Sequence, residues 1–195
     1  MLTDYIHQMN PAAVTYPTMP DPGCIYHDRR TIDLGTLEPL VALPDAVVNN
    51  SVPVGQVEGQ HIDQAFIGSC ANGTLDDLAV VAHVVKGRHV AKGTRLIVTP
   101  GTQTIYHAAL RAGYVETITA AGGIVTPATC GACVGAHLGT VGPDEICLTA
   151  STRNFKGRMG DPSARIYMGS PATCAASALT GVITHPGSFF AADVA

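Results

Sequence analysis

The sequence predicts a parallel α/β sheet. Three observations point there: short buried strands recur after residue 60, most are followed by segments with apolar residues at helical spacing, and glycine-rich turns separate them. The elements follow in order along the chain. Residues 1–30 are rich in proline and polar residues without a clear period, which predicts an extended arm or linker and leaves 31–195 as a single domain. TIDLGTLEPLVALP and the stretch to VPVGQVEG alternate apolar runs with proline and glycine, as short strands or a connection do. DQAFIGSC reads as a buried strand running into a turn. The helix after it, Thr74 to Lys86, carries Leu75, Leu78, Ala79, Ala82 and Val85 on one face, and Thr74 with Asp77 forms a capping pair at its start. TRLIVTP is a second strand, followed by a helix from about Gln103 to Ala112 that stops at Gly113. A short helix over 115–121, strands at GIVTP, EICLTA and ARIYMGS, and a helix from about Ala172 to Leu179 complete the alternation.

Composition narrows the function classes. A chain of 195 residues with 46% hydrophobic and 13% charged residues can bury one substantial core. Its formal net charge is -4, and the eleven Lys+Arg are spread without the basic stripe that neutralises phosphates, which argues against nucleic acid as a partner. No segment approaches the roughly 20 apolar residues of a membrane span, and the N-terminus has no cationic start before an apolar run, so a soluble, cytoplasmic protein is expected. The six cysteines are too sparse and irregular for a disulfide-stapled secreted domain, which favours metal binding or redox chemistry.

In an open α/β sheet, ligands bind outside the carboxyl ends of the strands. Three loops fall there: SCANG at 69–73, ATCGACVGAHLG at 128–139 and STRNFKGRMG at 151–160. Cys70 follows a strand and precedes a helix start, a setting that favours thiolate, although an isolated cysteine is as often a small core residue. Cys130 and Cys133 form CGAC, whose two-residue gap lets both sulfurs meet one metal or form a redox disulfide. A thioredoxin-type pair would open a helix, whereas glycines 131, 135 and 139 surround this one. A zinc deaminase would need a His-x-Glu tripeptide, which the chain lacks. With Cys70 and His137, the pair can also make a structural Cys3His zinc site. Three thiolates holding a cubane cluster instead leave one iron without a protein ligand, suited to eliminating water from a hydroxy acid. Arg153 and Arg158 offer the planar forks that grip carboxylates in a bidentate manner, the alternative being weak surface ion pairs. Cys24, Cys147 and Cys174 are expected to be plain thiols.

IGSCANG, ATCGACVGAHLG, STRNFKGRMG and GSPATCAASALTG, in that order and at that spacing, resemble the ordered motifs of the aconitase superfamily over residues 30 to 185. The match is closest to the third domain of the large subunits of isopropylmalate and homoaconitate dehydratases. The resemblance implies an α/β/α sandwich of three layers. It also implies a 4Fe-4S cluster held by Cys70, Cys130 and Cys133 with one open iron, and substrate contacts from Arg153, Arg158 and Asn72. The activity implied is isomerisation of a 2-hydroxy di- or tricarboxylate by dehydration and rehydration, with a small subunit contributing a serine base and other domains or chains completing the site. Two positions depart from the family pattern: Ala71 stands where a threonine is usual, and Thr152 where an asparagine precedes the first arginine. A cluster-binding or iron-sensing domain without catalysis is the rival expectation.

Overall fold

The computed structural model describes residues 2–46 and 48–190. The chain divides into two compact units between Leu37 and Glu38. In the first, Leu2–Met9 forms helix α1, which buries none of its residues, and a 3-10 turn at Leu34–Thr36 is capped by Asp33, whose carboxylate accepts from the Gly35 amide at 2.9 Å. Within residues 1–30, expected to be an extended arm or linker, α1 is a helical segment not expected from the sequence. Leu2, Tyr5, Ile6 and Met9 lie at helical spacing, a pattern too short to stand out beside the prolines that follow.

The second unit is built on a seven-stranded sheet in the order β2-β1-β7-β6-β3-β4-β5. The strands are β1 (Leu40–Ala42), β2 (Ser51–Pro53), β3 (Gln64–Gly68), β4 (Arg95–Thr99), β5 (Ile124–Val125), β6 (Ile146–Thr149) and β7 (Arg165–Met168). From β3 to β7 every pairing is parallel, and β1 and β2 add an antiparallel hairpin at one edge. This mainly parallel α/β arrangement is the one the alternating pattern predicts. Because β4 lies on one side of β3 and β6 on the other, the chain reverses its winding direction at the β3/β6 pair, and the loops leaving their carboxyl ends splay apart.

Alternation along each strand sends side chains to two cores. Ala65, Ile67, Leu96, Val98, Ile146, Leu148 and Tyr167 face one, with helices α3 (Leu75–Val85), α4 (Gln103–Arg111), α5 (Tyr114–Ala120) and α6 (Pro171–Thr180) contributing to it. Cys174, Ala175, Ala176 and Ala178 make α6 narrow enough to lie close against both α3 and β3. Phe66, Ile97, Cys147 and Ile166 face the second core, which is covered by Ala132, Cys133, Val141, Met159 and Ala164. That covering layer is the chain between β5 and β7, and its only helix is a 3-10 turn at Gly131–Val134.

The helix ends obey local chemistry. Thr74 and Asp77 form the reciprocal capping box, with the Asp77 amide donating to Thr74 Oγ1 at 3.2 Å and the Thr74 amide to Asp77 Oδ2 at 2.9 Å. Gly113, at φ 75°, ends α4 and opens α5. Ser170 caps α6 ahead of Pro171. No helix among the described residues is long and apolar enough to cross a membrane.

Candidate functional site

Three connections meet at the carboxyl edge of the sheet, and the close approach of their backbones holds them together. Gly68 ends β3 at φ 113°, where a Cβ would stand 1.9 Å from the Thr99 carbonyl oxygen. Ser69 follows in the left-handed region at φ 64° and starts the short helix α2 (Ser69–Asn72), so the chain turns sharply and leaves Cys70 exposed at the edge. The Gly73 carbonyl accepts from the Gly101 amide at 2.8 Å, and Asn72 Nδ2 donates to the Ala150 carbonyl. The loop after β3 is thereby tied to the ends of both β4 and β6.

The cysteine pair is anchored to the same place. Thr99 and Thr126 hydroxyls, both buried, share a hydrogen bond of 2.8 Å that fixes the start of the loop after β5. Gly131, at φ 54°, lies so close to the Phe66 ring and the Thr99 hydroxyl that a Cβ would come within 2.8 Å of either. Cys130 caps the 3-10 turn and is exposed, while Cys133 is buried inside it, its amide donating to the Cys130 carbonyl at 3.2 Å. His137 is exposed, and its ring stands 3.5 Å from the Thr129 hydroxyl.

The arginine loop closes the arrangement. Arg158 is half-buried and directs Nη2 at Cys133 Sγ at 3.6 Å, with its guanidinium over the Phe155 ring. Arg153 is exposed and folds its Nη1 back onto the Thr152 carbonyl at 2.7 Å. Between them Asn154 is fully buried, and its Nδ2 donates to the Leu43 carbonyl at 2.6 Å and the Ile166 carbonyl at 3.3 Å, pinning the loop to β7 and the chain after β1. Lys156 approaches Asp45 at 3.8 Å.

The three loops carry cations and no carboxylate of their own, the Asp45 carboxylate beside Lys156 coming from the chain after β1. Residues 69–73, 128–139 and 151–160 contain Arg153, Lys156 and Arg158 and no carboxylate, on a chain of net charge -4. Four buried side-chain polar atoms among the described residues lack a hydrogen-bond partner: Ser69 Oγ, Ser151 Oγ, Asn154 Oδ1 and Arg158 Nε. All four belong to the loops leaving β3 and β6. An unsatisfied buried polar atom costs about 1–3 kcal/mol, so each of the four leaves the folded chain with hydrogen-bonding capacity unspent in these two loops.

The sequence-assigned Cys70, Cys130, Cys133, Asn72, Arg153 and Arg158 therefore all lie in loops joined at one edge. Among the described residues, no three His, Cys, Asp or Glu side chains converge closely enough to hold one metal ion, so Cys70, Cys130, Cys133 and His137 do not assemble a single-ion zinc centre in this arrangement. Cys147 and Cys174 are core thiols: burial pushes Cys147 up to about 12 and Cys174 well above its ordinary value. Ser69, Ser151 and Asn154 escaped sequence reasoning, since small neutral polar residues in glycine-rich loops carry no signal beyond adjacency to Cys70 and the arginines. An open groove of about 420 Å³, lined by Ala79, His83, Lys86 and Tyr114 among others, lies toward the far end of α3 and contains none of the assigned residues.

A family profile described as "Aconitase family (aconitate hydratase)" matches residues 4–181. The chain is 57% identical over 168 residues to the 3-isopropylmalate dehydratase large subunit of Mycolicibacterium smegmatis, a match covering 86% of this chain and 40% of that protein. It is 47% identical over 172 residues to the protein of the same description from Nitratidesulfovibrio vulgaris, covering 88% and 41%. With the one from Caldivirga maquilingensis the identity is 48% over 173 residues, covering 89% and 41%. The matched region thus spans about two-fifths of the length of these relatives.

Proposed function

Since the chain belongs to the aconitase family, we propose that it is the cluster-bearing part of a hydro-lyase of the 3-isopropylmalate dehydratase kind, which moves a hydroxyl along a 2-hydroxy di- or tricarboxylate by dehydration and rehydration. The single observation that carries this reading is that the loops bearing the three cysteines and the two arginines are tied together at one edge of the sheet, with Arg158 Nη2 at 3.6 Å from Cys133 Sγ. Cys70, Cys130 and Cys133 would hold a 4Fe-4S cluster. The donor set fits, because in a cubane each thiolate binds its own iron and the sulfurs need not crowd around one ion. When bound, such a cluster with three cysteine ligands supplies an open iron as a Lewis acid for a hydroxyl leaving group.

The chain's own residues do the rest of the positioning. Arg153, exposed at the edge, takes one substrate carboxylate in a bidentate grip, and Arg158 offers a second charge beside Cys133. Asn72, held to Ala150, ties the loop of Cys70 to the end of β6 and would contribute a substrate contact, as the resemblance implies. Dehydration also needs a base to remove a proton from the carbon beside the leaving hydroxyl. The family resemblance implies that this base is a serine supplied by a small subunit.

Anaerobic reconstitution with iron and sulfide, read by metal and sulfide analysis and electron paramagnetic resonance, tests the reading. A cubane signal lost in Cys70→Ser and Cys133→Ser is expected. Zinc uptake in its place, or a signal indifferent to both substitutions, would overturn it.

A further inference from the structure

Ser69 and Ser151 leave adjacent parallel strands, β3 and β6, at the point where the winding reverses. Each is nearly sealed from solvent, at 2% and 7% exposure, and neither hydroxyl has a partner among the described residues. Their neighbours cannot relax to supply one. Ser69 is locked in the left-handed region between Gly68, packed on Thr99, and a loop tied to Gly101 and Ala150. Ser151 is fixed by its own amide, which donates to Thr149 Oγ1 at 3.0 Å. A hydroxyl can turn to donate wherever an acceptor arrives, and one buried without an acceptor costs stability for nothing in the folded chain alone. Ser69 adjoins Cys70, and Ser151 adjoins the Thr152-Arg153 pair.

Resting on the cluster reading above, we infer that Ser69 and Ser151 would be hydrogen-bond donors to the cluster held by Cys70, Cys130 and Cys133, or to its ligating sulfurs. Such bonds stabilise the more reduced, more negative state, so they raise the reduction potential and slow cluster loss. Ser151 adjoins Thr152, one of the two positions at which this chain departs from the family pattern, and Ser69 lies two residues before the other, Ala71.

The test compares Ser69→Ala, Ser69→Gly and Ser151→Ala with the unmodified full chain, cluster-free and after anaerobic reconstitution. Expected for the cluster-free chain is an unchanged or raised thermal midpoint, with Ser69→Gly the most favoured because it also relieves the positive φ. Expected after reconstitution is a more negative reduction potential in each variant and loss of cluster about 10-fold faster under the same oxidant. Ser151→Thr, which keeps a hydroxyl, should restore both. If the variants lower the cluster-free midpoint and leave potential and cluster lifetime unchanged, the hydroxyls are structural and the inference fails while the cluster reading stands. If the unmodified chain takes up no cluster, both fall together.

Discussion

Arg158 and Arg153 show how two identical side chains five positions apart acquire different work. Arg158 is held by Cys133 and Phe155, whereas Arg153 has only a carbonyl of its own neighbour. Arg153→Ala should therefore change stability by no more than about 0.5 kcal/mol in thermal unfolding. In the assembled, cluster-loaded enzyme the same substitution should weaken dicarboxylate binding about 10- to 100-fold by calorimetric titration, the value of one charge-assisted grip. The thiols divide just as clearly. Cys24, Cys70 and Cys130 are exposed and should react quickly with a thiol reagent in the cluster-free chain, while Cys147 and Cys174 should stay silent until denaturant is added. Protection of Cys70 and Cys130 on cluster loading, with Cys24 still reactive, would report the ligands directly.

The strand-to-helix turns carry the site, and glycine makes them possible. Gly68→Ala would force a Cβ into the Thr99 carbonyl at a φ that L residues avoid, and we expect a loss of about 3 kcal/mol or more in denaturant unfolding. Gly87→Ala is the control: its φ is also positive, but nothing lies within 4 Å, so a cost of about 1 kcal/mol is expected. At the start of α3, Thr74→Ala should cost about 1 kcal/mol by breaking the capping box. Most of these elements were legible beforehand. The α3 box, the Gly113 stop and the parallel strands follow from spacing and local hydrogen bonding, which a few neighbouring residues settle. The β1–β2 hairpin and the 3-10 turn of Cys130 were less so. The first is stabilised through pairing with β7, and the second through burial of Ala132 and Cys133 against Phe66, contacts remote in sequence.

For the whole molecule, the end of the sheet away from the cysteines is closed by ion pairs whose titration sets an acid limit. Glu145 is held below its ordinary value chiefly by Arg95, which it meets at 2.7 Å. Asp63 is held low although burial opposes it, by the Ile146 amide, His61 and Arg95. A carboxylate with a depressed folded value contributes stability that is complete above the unfolded value near 4 and is lost as pH falls through the folded one. Acid unfolding should accordingly begin below about pH 4, and Arg95→Met should move that onset to higher pH, followed by circular dichroism. Both groups are partly exposed, which keeps the effect modest.

By itself the sequence determined the fold class, most helix boundaries, the family and the three motif loops, because periodicity, caps and ordered motifs are local properties that survive without coordinates. Only the tertiary structure decided that β6 lies beside β3, so that residues 69–72 and 150–153 face one another across the reversal point. The same placement gave Arg158 to Cys133 and left Ser69, Ser151 and Asn154 buried with polar atoms unspent. Whether a hydroxyl has a partner depends on every group packed around it. That is a property of the closed fold, and no pattern along the chain encodes it in advance.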